Sequence, residues 1–325
     1  MSSIDITNEQ EGGIELLRMS NGLVALALMP GLGGKLSSLQ DLRSGREWLW
    51  RHPRLPYRSL PHGSSYIHEA DTGGWDECFP SVAPCHYPAA PWAGVPIQDH
   101  GELWSQPARL QLRHLGDTVA LETTWRGVAL PYSFSRALRL AAGEARLTLD
   151  YRVVSHADAP LHFIWSAHPL IAIEPGMELR TPADARFNCN VTFPPNLTET
   201  MAGLPFPLTV QTANGPLSFE RLPGPEAAVA MKLWSDPLTD GWASLTARDG
   251  ALRMRWDVRQ LPQLALWLNL GAWAADGGTP YYNLGLEPCI GAQDSLATAF
   301  AERKPYATLP PRGVRSWQLE VELSV

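Results

Sequence analysis

Apolar and polar residues alternate along much of this chain, and turn formers interrupt the alternation at intervals. Arg109–Trp125 (RLQLRHLGDTVALETTW) alternates, breaks at Leu115-Gly116-Asp117, and alternates again, which predicts a hairpin. Phe134–Val154 repeats the design around Ala142-Gly143-Glu144. Leu245–Val258 does so around Asp249-Gly250, a dipeptide suited to a tight turn. Gly22–Pro30 reads as an apolar strand between turn formers, and Ser316–Val325 alternates with a period of two. No long segment carries the 3.6-residue apolar period of an amphipathic helix. Many short alternating segments joined by Gly, Pro and Asp turns predict an all-β chain of antiparallel sheets, in a sandwich or barrel with few short helices. Residues 51–100 and 193–225 are rich in proline and read as irregular excursions. No repeat or linker divides the chain, so a single domain over 1–325 is expected.

Composition narrows the function classes. The 325 residues are 45% hydrophobic and 18% charged, with a net charge of −7. An acidic chain is poorly suited to neutralise a phosphate backbone, so no nucleic-acid partner is expected. No run of about 18 apolar residues predicts a membrane span. The start, MSSIDITNEQEGG, has neither a basic segment nor an apolar stretch, so a cytoplasmic location is expected. The cysteines Cys78, Cys85, Cys189 and Cys289 form no CxxC pair and read as free thiols. Asn190-Val-Thr192 and Asn196-Leu-Thr198 match the glycosylation pattern, which carries no meaning without secretion. There are thirteen tryptophans, enough both to fill a large core and to leave a few as flat apolar floors for a ring-shaped ligand.

Four segments gather chemistry-bearing residues: Gly73–Pro80 (GGWDECFP), Asp99–Trp104 (DHGELW), His162–Leu170 (HFIWSAHPL) and Tyr281–Gly291 (YYNLGLEPCIG). His162 and His168 are too far apart along a straight strand, about 20 Å, to share a ligand. Pro169 predicts that His168 ends its strand and faces a pocket; a core histidine bonded to a carbonyl is the other reading. Glu287 stands in an apolar strand, where an unpaired carboxylate is costly, and Pro288 predicts a strand end there as well. Burial would raise its pKa toward that of a general base, whereas an arginine salt bridge would make it structural. A second carboxylate could come from Asp71, Asp76, Glu77, Asp99 or Glu102. His100-Gly101 can be a plain turn or the polar rim of a pocket. There is no GxSxG elbow, phosphate loop, dinucleotide fingerprint or zinc spacing. No metal and no cofactor are expected. What remains is a set of histidines, one buried glutamate and nearby tryptophans, suited to proton transfer on a polar ring.

With these residues in view, the chain resembles the aldose 1-epimerases (galactose mutarotases) and their sugar-epimerase relatives. The likeness spans about residues 20–325 and rests on GLGGKLSSLQDLRSGREWLW, DHGELW, WSAHPL, LPQLALWLNLGAW and LGLEPCIGAQDSL, in that order. It implies a large antiparallel β-sandwich. It also implies interconversion of sugar anomers without a cofactor, with a small-molecule sugar as partner and a monomer or homodimer as the assembly. It places the general acid on His168, the general base on Glu287, and a sugar contact near the ring oxygen on His100. Trp75, Trp104 and Trp267 are then candidates for ring stacking, and Asp76 and Glu77 for accepting hydrogen bonds from hydroxyls. Asn269 and Tyr282 are further candidates. Two features of the family are missing. GGWDECFPSV has acids where an arginine is expected, and Met231-Lys232-Leu233 stands where an aspartate is expected. The acidic loop argues against a phosphorylated sugar, with Lys35, Arg46 and Lys232 as the cations that could still meet one. A sugar-binding module without catalysis and a glycoside hydrolase or lyase are the competing functions.

Overall fold

The computed structural model describes residues 4–195, 197, 202–212, 215–275 and 277–325. Two large antiparallel sheets carry the chain. One has eight strands, in the order Glu178–Arg180, Trp242–Ala247, Gly250–Trp256, Val314–Ser324, Arg146–Ser155, Tyr132–Ala141, Thr118–Arg126 and Arg109–Leu115. This sheet holds the three hairpins expected from the alternating segments, with turns at Gly116, at Gly143 and at Arg248-Asp249, one residue before the expected Asp249-Gly250, since Gly250 already pairs with Ala247. Its strands keep the two-residue period in three dimensions. Along Tyr132–Ala141 the residues of one face are buried and those of the other are partly or fully exposed.

The second sheet has twelve strands. Its path runs Asp5–Glu11, Ile14–Ser20, Val24–Met29, Lys35–Asp41, Trp75–Cys78, Trp165–Ala172, Tyr282–Ile290, Gln263–Leu270, Val229–Ser235, Arg186–Phe193 and Leu204–Pro205, with Arg46–Glu47 paired off it. Four of the middle strands are buried along nearly their whole length. Loops cover the face turned away from the sandwich, so the strands read as continuous apolar runs.

Two expectations about this sheet need correction. Pro169 and Pro288 do not end their strands, which run on to Ala172 and Ile290. Each proline forfeits one ladder donor, and pairing is present on both sides of the gap, at Ser166↔Cys289 and Leu170↔Gly285. The segment Trp75–Cys78, expected to be loop, is a buried strand paired with Trp165–Ala172. Residues 51–100 are otherwise mostly irregular, with one π-helical turn at Tyr66–Ala70. Leu296–Glu302 is the α-helix among the described residues. No helix there is long and apolar enough to cross a membrane.

The core lies between the sheets and is dense in aromatic rings. Phe79, the residue after strand Trp75–Cys78 of the larger sheet, packs on Phe134 of the smaller, with centroids 5.2 Å apart, and Trp165 packs on Trp317 at 4.9 Å. Trp48, Trp75, Trp125, Trp165 and Trp234 are fully buried. A polar bridge crosses this core. Arg136 donates to Glu77 Oε1 at 3.0 Å, and Tyr151 donates to the same oxygen at 2.9 Å. Burial lifts Glu77 to about 7, against the opposing pull of Arg136 and Tyr151.

Candidate active site

The outer face of the larger sheet is built from cross-strand rows. Leu170 pairs with Gly285, Gly285 with Trp267, Trp267 with Lys232 and Lys232 with Val191. Residues paired in this way share a face. Leu170, Trp267, Lys232 and Val191 all line one cavity of about 230 Å³. One step along the pleat, the register between Ser166↔Cys289 and Leu170↔Gly285 sets His168 opposite Glu287. Both line the same cavity. Gly285 makes the room: a methyl group there would lie 2.5 Å from Glu287 Oε1 and 2.9 Å from Trp267 Cβ. Gly285→Ala is therefore expected to push the carboxylate aside. If Glu287 acts on a substrate, turnover should fall roughly 100-fold with the fold intact, measured as rate alongside circular dichroism.

His100 comes from the opposite wall. Its backbone and that of Gly101 are both left-handed, at φ 58° and 75°. For a histidine this is an uncommon conformation that surrounding structure must enforce. His100 N donates to Val82 O at 2.6 Å and Glu102 N to Phe79 O at 2.8 Å. At Gly101 a side chain would strike Phe79 O at 2.1 Å. Tyr66 stacks on the imidazole with centroids 4.0 Å apart, and His168 meets it edge to face at 4.9 Å. His100-Gly101 is thus both a tight turn and a cavity wall.

The charges are arranged unequally. Burial opposes a charge on His100, but Asp99, 2.8 Å from its Nδ1, lifts its pKa above the ordinary imidazole value, with help from Asp71 and Glu287. Burial pushes His168 well below that value, and the charges of His100, Lys232 and Lys35 push it further. The two imidazoles are thus pushed apart: His100 is the more basic of the pair and His168 the less basic, the reverse of what an acid role for His168 alone would require. Glu287 Oε2 accepts from Lys232 Nζ at 2.5 Å and from Ser166 Oγ at 3.2 Å. Its Oε1 has no partner among the described residues. Burial works against a charge on Lys232 as well, and Glu287 and Asp294 overcome it and hold the ammonium above the ordinary lysine value. Burial raises Asp71 to about 6 against His100 and Lys35, and Asp71 Oδ1 is also without a partner. Burial raises Asp294 too, with Lys232 opposing.

The cavity thus unites His100, His168, Glu287 and Trp267 from the expected set with Asp71 and Asp99 of the candidate second carboxylates, and it leaves out Trp75, Asp76, Glu77, Trp104, Glu102, Asn269 and Tyr282. Trp75 is fully buried between the sheets, and Glu77, on the same face of its strand, is spent on Arg136 and Tyr151. Asp76 is committed to Lys35 and Tyr66, and Trp104 donates to Asp99 O at 2.8 Å; both line a neighbouring cavity instead. Glu102 clasps a loop, accepting from Val128 N, Ala129 N and Tyr132 Oη. Asn269 holds the chain at Trp273 through two hydrogen bonds, and Tyr282 donates to Pro223 O. His162 bonds Thr308 on a separate strand pair. Asn196 and Thr198 lie outside the described residues.

Asp294 and Trp273 also line the cavity, beyond the expected site residues, as does Lys232, expected only as a cation that could meet a phosphate. Cys78 Sγ and one nitrogen each of His100 and His168 lie within 4.8 Å of one another, a spacing open to a soft metal ion. Burial, with Glu287 and Asp76, pushes the Cys78 thiol well up, away from the thiolate that binds metal. A larger depression of about 820 Å³ on the smaller sheet, around Asp240, Trp242 and Arg255, includes no histidine.

The architecture is the galactose mutarotase-like β-sandwich. A galactose mutarotase-like protein from Clostridium acetobutylicum superposes with a TM-score of 0.62 at 13% identity, over 99% of both chains. The Slr1438 protein from Synechocystis superposes with a TM-score of 0.64 at 16% identity, over 98% of this chain and 96% of that one. A galactose 1-epimerase from Lactobacillus acidophilus gives 0.60 at 12% identity, over 100% and 99%. Comparison with protein-family models and with curated sequences finds no match.

Proposed function

We propose that this chain interconverts the α and β anomers of an unphosphorylated aldose by general acid–base catalysis. The observation that carries the proposal is an unpartnered carboxylate oxygen and two imidazoles gathered in one sugar-sized cavity. Glu287 Oε1 is a free acceptor, Glu287 stands opposite His168 on the next strand, and Asp99 raises the basicity of His100 beside them. Ring opening requires a base to take the C1 hydroxyl proton while an acid protonates the ring oxygen, and closure on the other face reverses both transfers. Glu287 serves as the base. Lys232 and Ser166 fix its other oxygen, so Oε1 keeps a set direction. The two imidazoles serve together as the acid, with His100 the more basic of the two. Trp267 and Trp273, perpendicular at 5.7 Å, form an apolar corner for the ring. The orphan Asp71 Oδ1 accepts from a sugar hydroxyl.

Neutrality of the substrate follows from the cations. Of Lys35, Lys232 and Arg46 only Lys232 lines this cavity, and its charge is matched by Glu287; Lys35 and Arg46 lie outside the lining, paired with Asp76 and with Asp249 and Glu174. Polarimetry on freshly dissolved α-anomers tests this. Free aldoses should equilibrate faster with the protein than without it, and their 6-phosphates should not. Acceleration confined to the phosphates contradicts the proposal. Glycoside hydrolysis is the second reading, favoured by the raised pKa of Asp71 in the same cavity as Glu287. Release of nitrophenol from nitrophenyl glycosides would support that reading instead.

The pH dependence has a defined sign. The pKa of His100 is raised above the ordinary imidazole value, so if it supplies the acid, activity is lost as pH climbs through that raised value. Asp99→Asn removes the carboxylate 2.8 Å away, and the alkaline limb of kcat/KM should move to lower pH by about 1 unit or more. An unmoved limb would separate the activity from His100.

A further inference from the structure

We propose that the cavity behind Tyr66 is a second binding site, for a neutral polyol bearing vicinal hydroxyls. It measures about 310 Å³ and shares no lining residue with the first cavity. The π-helical turn Tyr66–Ala70 and the two residues after it form the partition. Ile67 and Asp71 face the first cavity, whereas Tyr66 and Thr72 face the second. Turns of this kind are rare and cluster at functional sites.

Buried polar groups line the second cavity. Lys35, Thr72 and Asp76 are each no more than 4% exposed. Asp76 Oδ2 accepts from Lys35 and from Tyr66 Oη, the latter at 2.7 Å. Its other oxygen, Oδ1, has no partner among the described residues, and neither has Thr72 Oγ1. Leaving such groups unsatisfied is costly, so a ligand that satisfies both gains by it. Lys35 Nζ has three hydrogens; two go to Gly73 O and Asp76. The third is left to donate.

This set of groups defines the ligand. One hydroxyl donates to Asp76 Oδ1, its vicinal neighbour accepts from Lys35, and Thr72 Oγ1 takes either role. Leu32 and the buried Trp104 present an apolar surface to carbon-bound hydrogens. Charge disfavours anything but a neutral guest. Lys35 and Asp76 cancel each other, and Arg58 and Glu69, also lining the cavity, are paired at 3.3 Å. An anion would meet the Asp76 carboxylate and a cation the Lys35 ammonium.

The test uses xylitol, which has no anomeric centre, so its binding is independent of any mutarotase activity. Saturation-transfer NMR and calorimetry on the intact chain should detect binding by the wild type and by Trp267→Ala, whose change lies in the first cavity. Thr72→Val should weaken binding about tenfold. Gly31→Phe should abolish it: Gly31 lines the cavity, and a Cβ there meets nothing within 4 Å, so the ring has space to enter. Circular dichroism establishes that both variants fold. Absence of xylitol binding at millimolar concentrations overturns the proposal. So does binding that survives Gly31→Phe, or binding that is lost in Trp267→Ala, which would belong to the first cavity.

Discussion

Glu287→Gln is expected to reduce anomer interconversion by about 100- to 10,000-fold while leaving the fold and its melting temperature nearly unchanged. The amide keeps the shape of the side chain and can still accept from Lys232 and Ser166 through its oxygen. It has no basic oxygen to offer at the position of Oε1. His168→Ala should bring a loss of similar size, because it removes the imidazole opposite Glu287 that packs against His100. Polarimetric rates at saturating sugar, compared with unfolding curves of each variant, separate lost chemistry from lost structure. Full activity in both variants would leave the pair as core residues. A loss paralleled by unfolding would make Glu287 a structural partner of the buried Lys232, the salt-bridge reading of this carboxylate.

Arg136→Met should cost about 3–5 kcal/mol of stability, the usual penalty for removing one member of a buried ion pair. Arg136 and Glu77 are both about 1% exposed and join the two sheets directly. Without the guanidinium, burial acts on Glu77 with less opposition, and its pKa rises further above the value of about 7 it already shows. A raised folded-state value favours folding below the unfolded carboxylate value of about 4.3, and this contribution is lost as pH rises through the folded value. The variant should therefore be relatively least destabilised in mild acid, and urea titrations at several pH values measure this. A pH-independent change, or one below about 1 kcal/mol, would show that the bridge matters little.

How much of this was legible in the sequence differs between the two sheets. The smaller sheet has one half-exposed face, so alternation and the turn formers at Gly116, Gly143 and Asp249-Gly250 mark its hairpins in the residues. The larger sheet carries the site on strands covered on both faces. Trp165–Ala172 and Tyr282–Ile290 show apolar runs, not alternation, and their prolines look like terminators. His168 and Glu287 were still visible, because a titratable group in an apolar run needs a reason to be there. The same logic applied to Lys232, flanked by Met231 and Leu233, points to a buried charge with a partner, and that partner is Glu287. Asp76 and Glu77 could not be assigned from the chain alone. Adjacent residues on a strand face opposite ways, one toward Lys35 and Tyr66 and the other into the core, and a segment taken for loop hides that difference. Asp71, Asp294 and Trp273 reach the cavity from irregular segments, where no spacing rule applies.

The most direct measurement is magnetisation exchange between the α and β anomeric protons of a neutral aldose at equilibrium, with and without catalytic amounts of this protein. The account predicts exchange cross-peaks for at least one free aldose that appear only with active protein and vanish in Glu287→Gln. Binding of the sugar with no gain in exchange, for every aldose tried, would contradict it and leave a cavity that holds a sugar without turning it over.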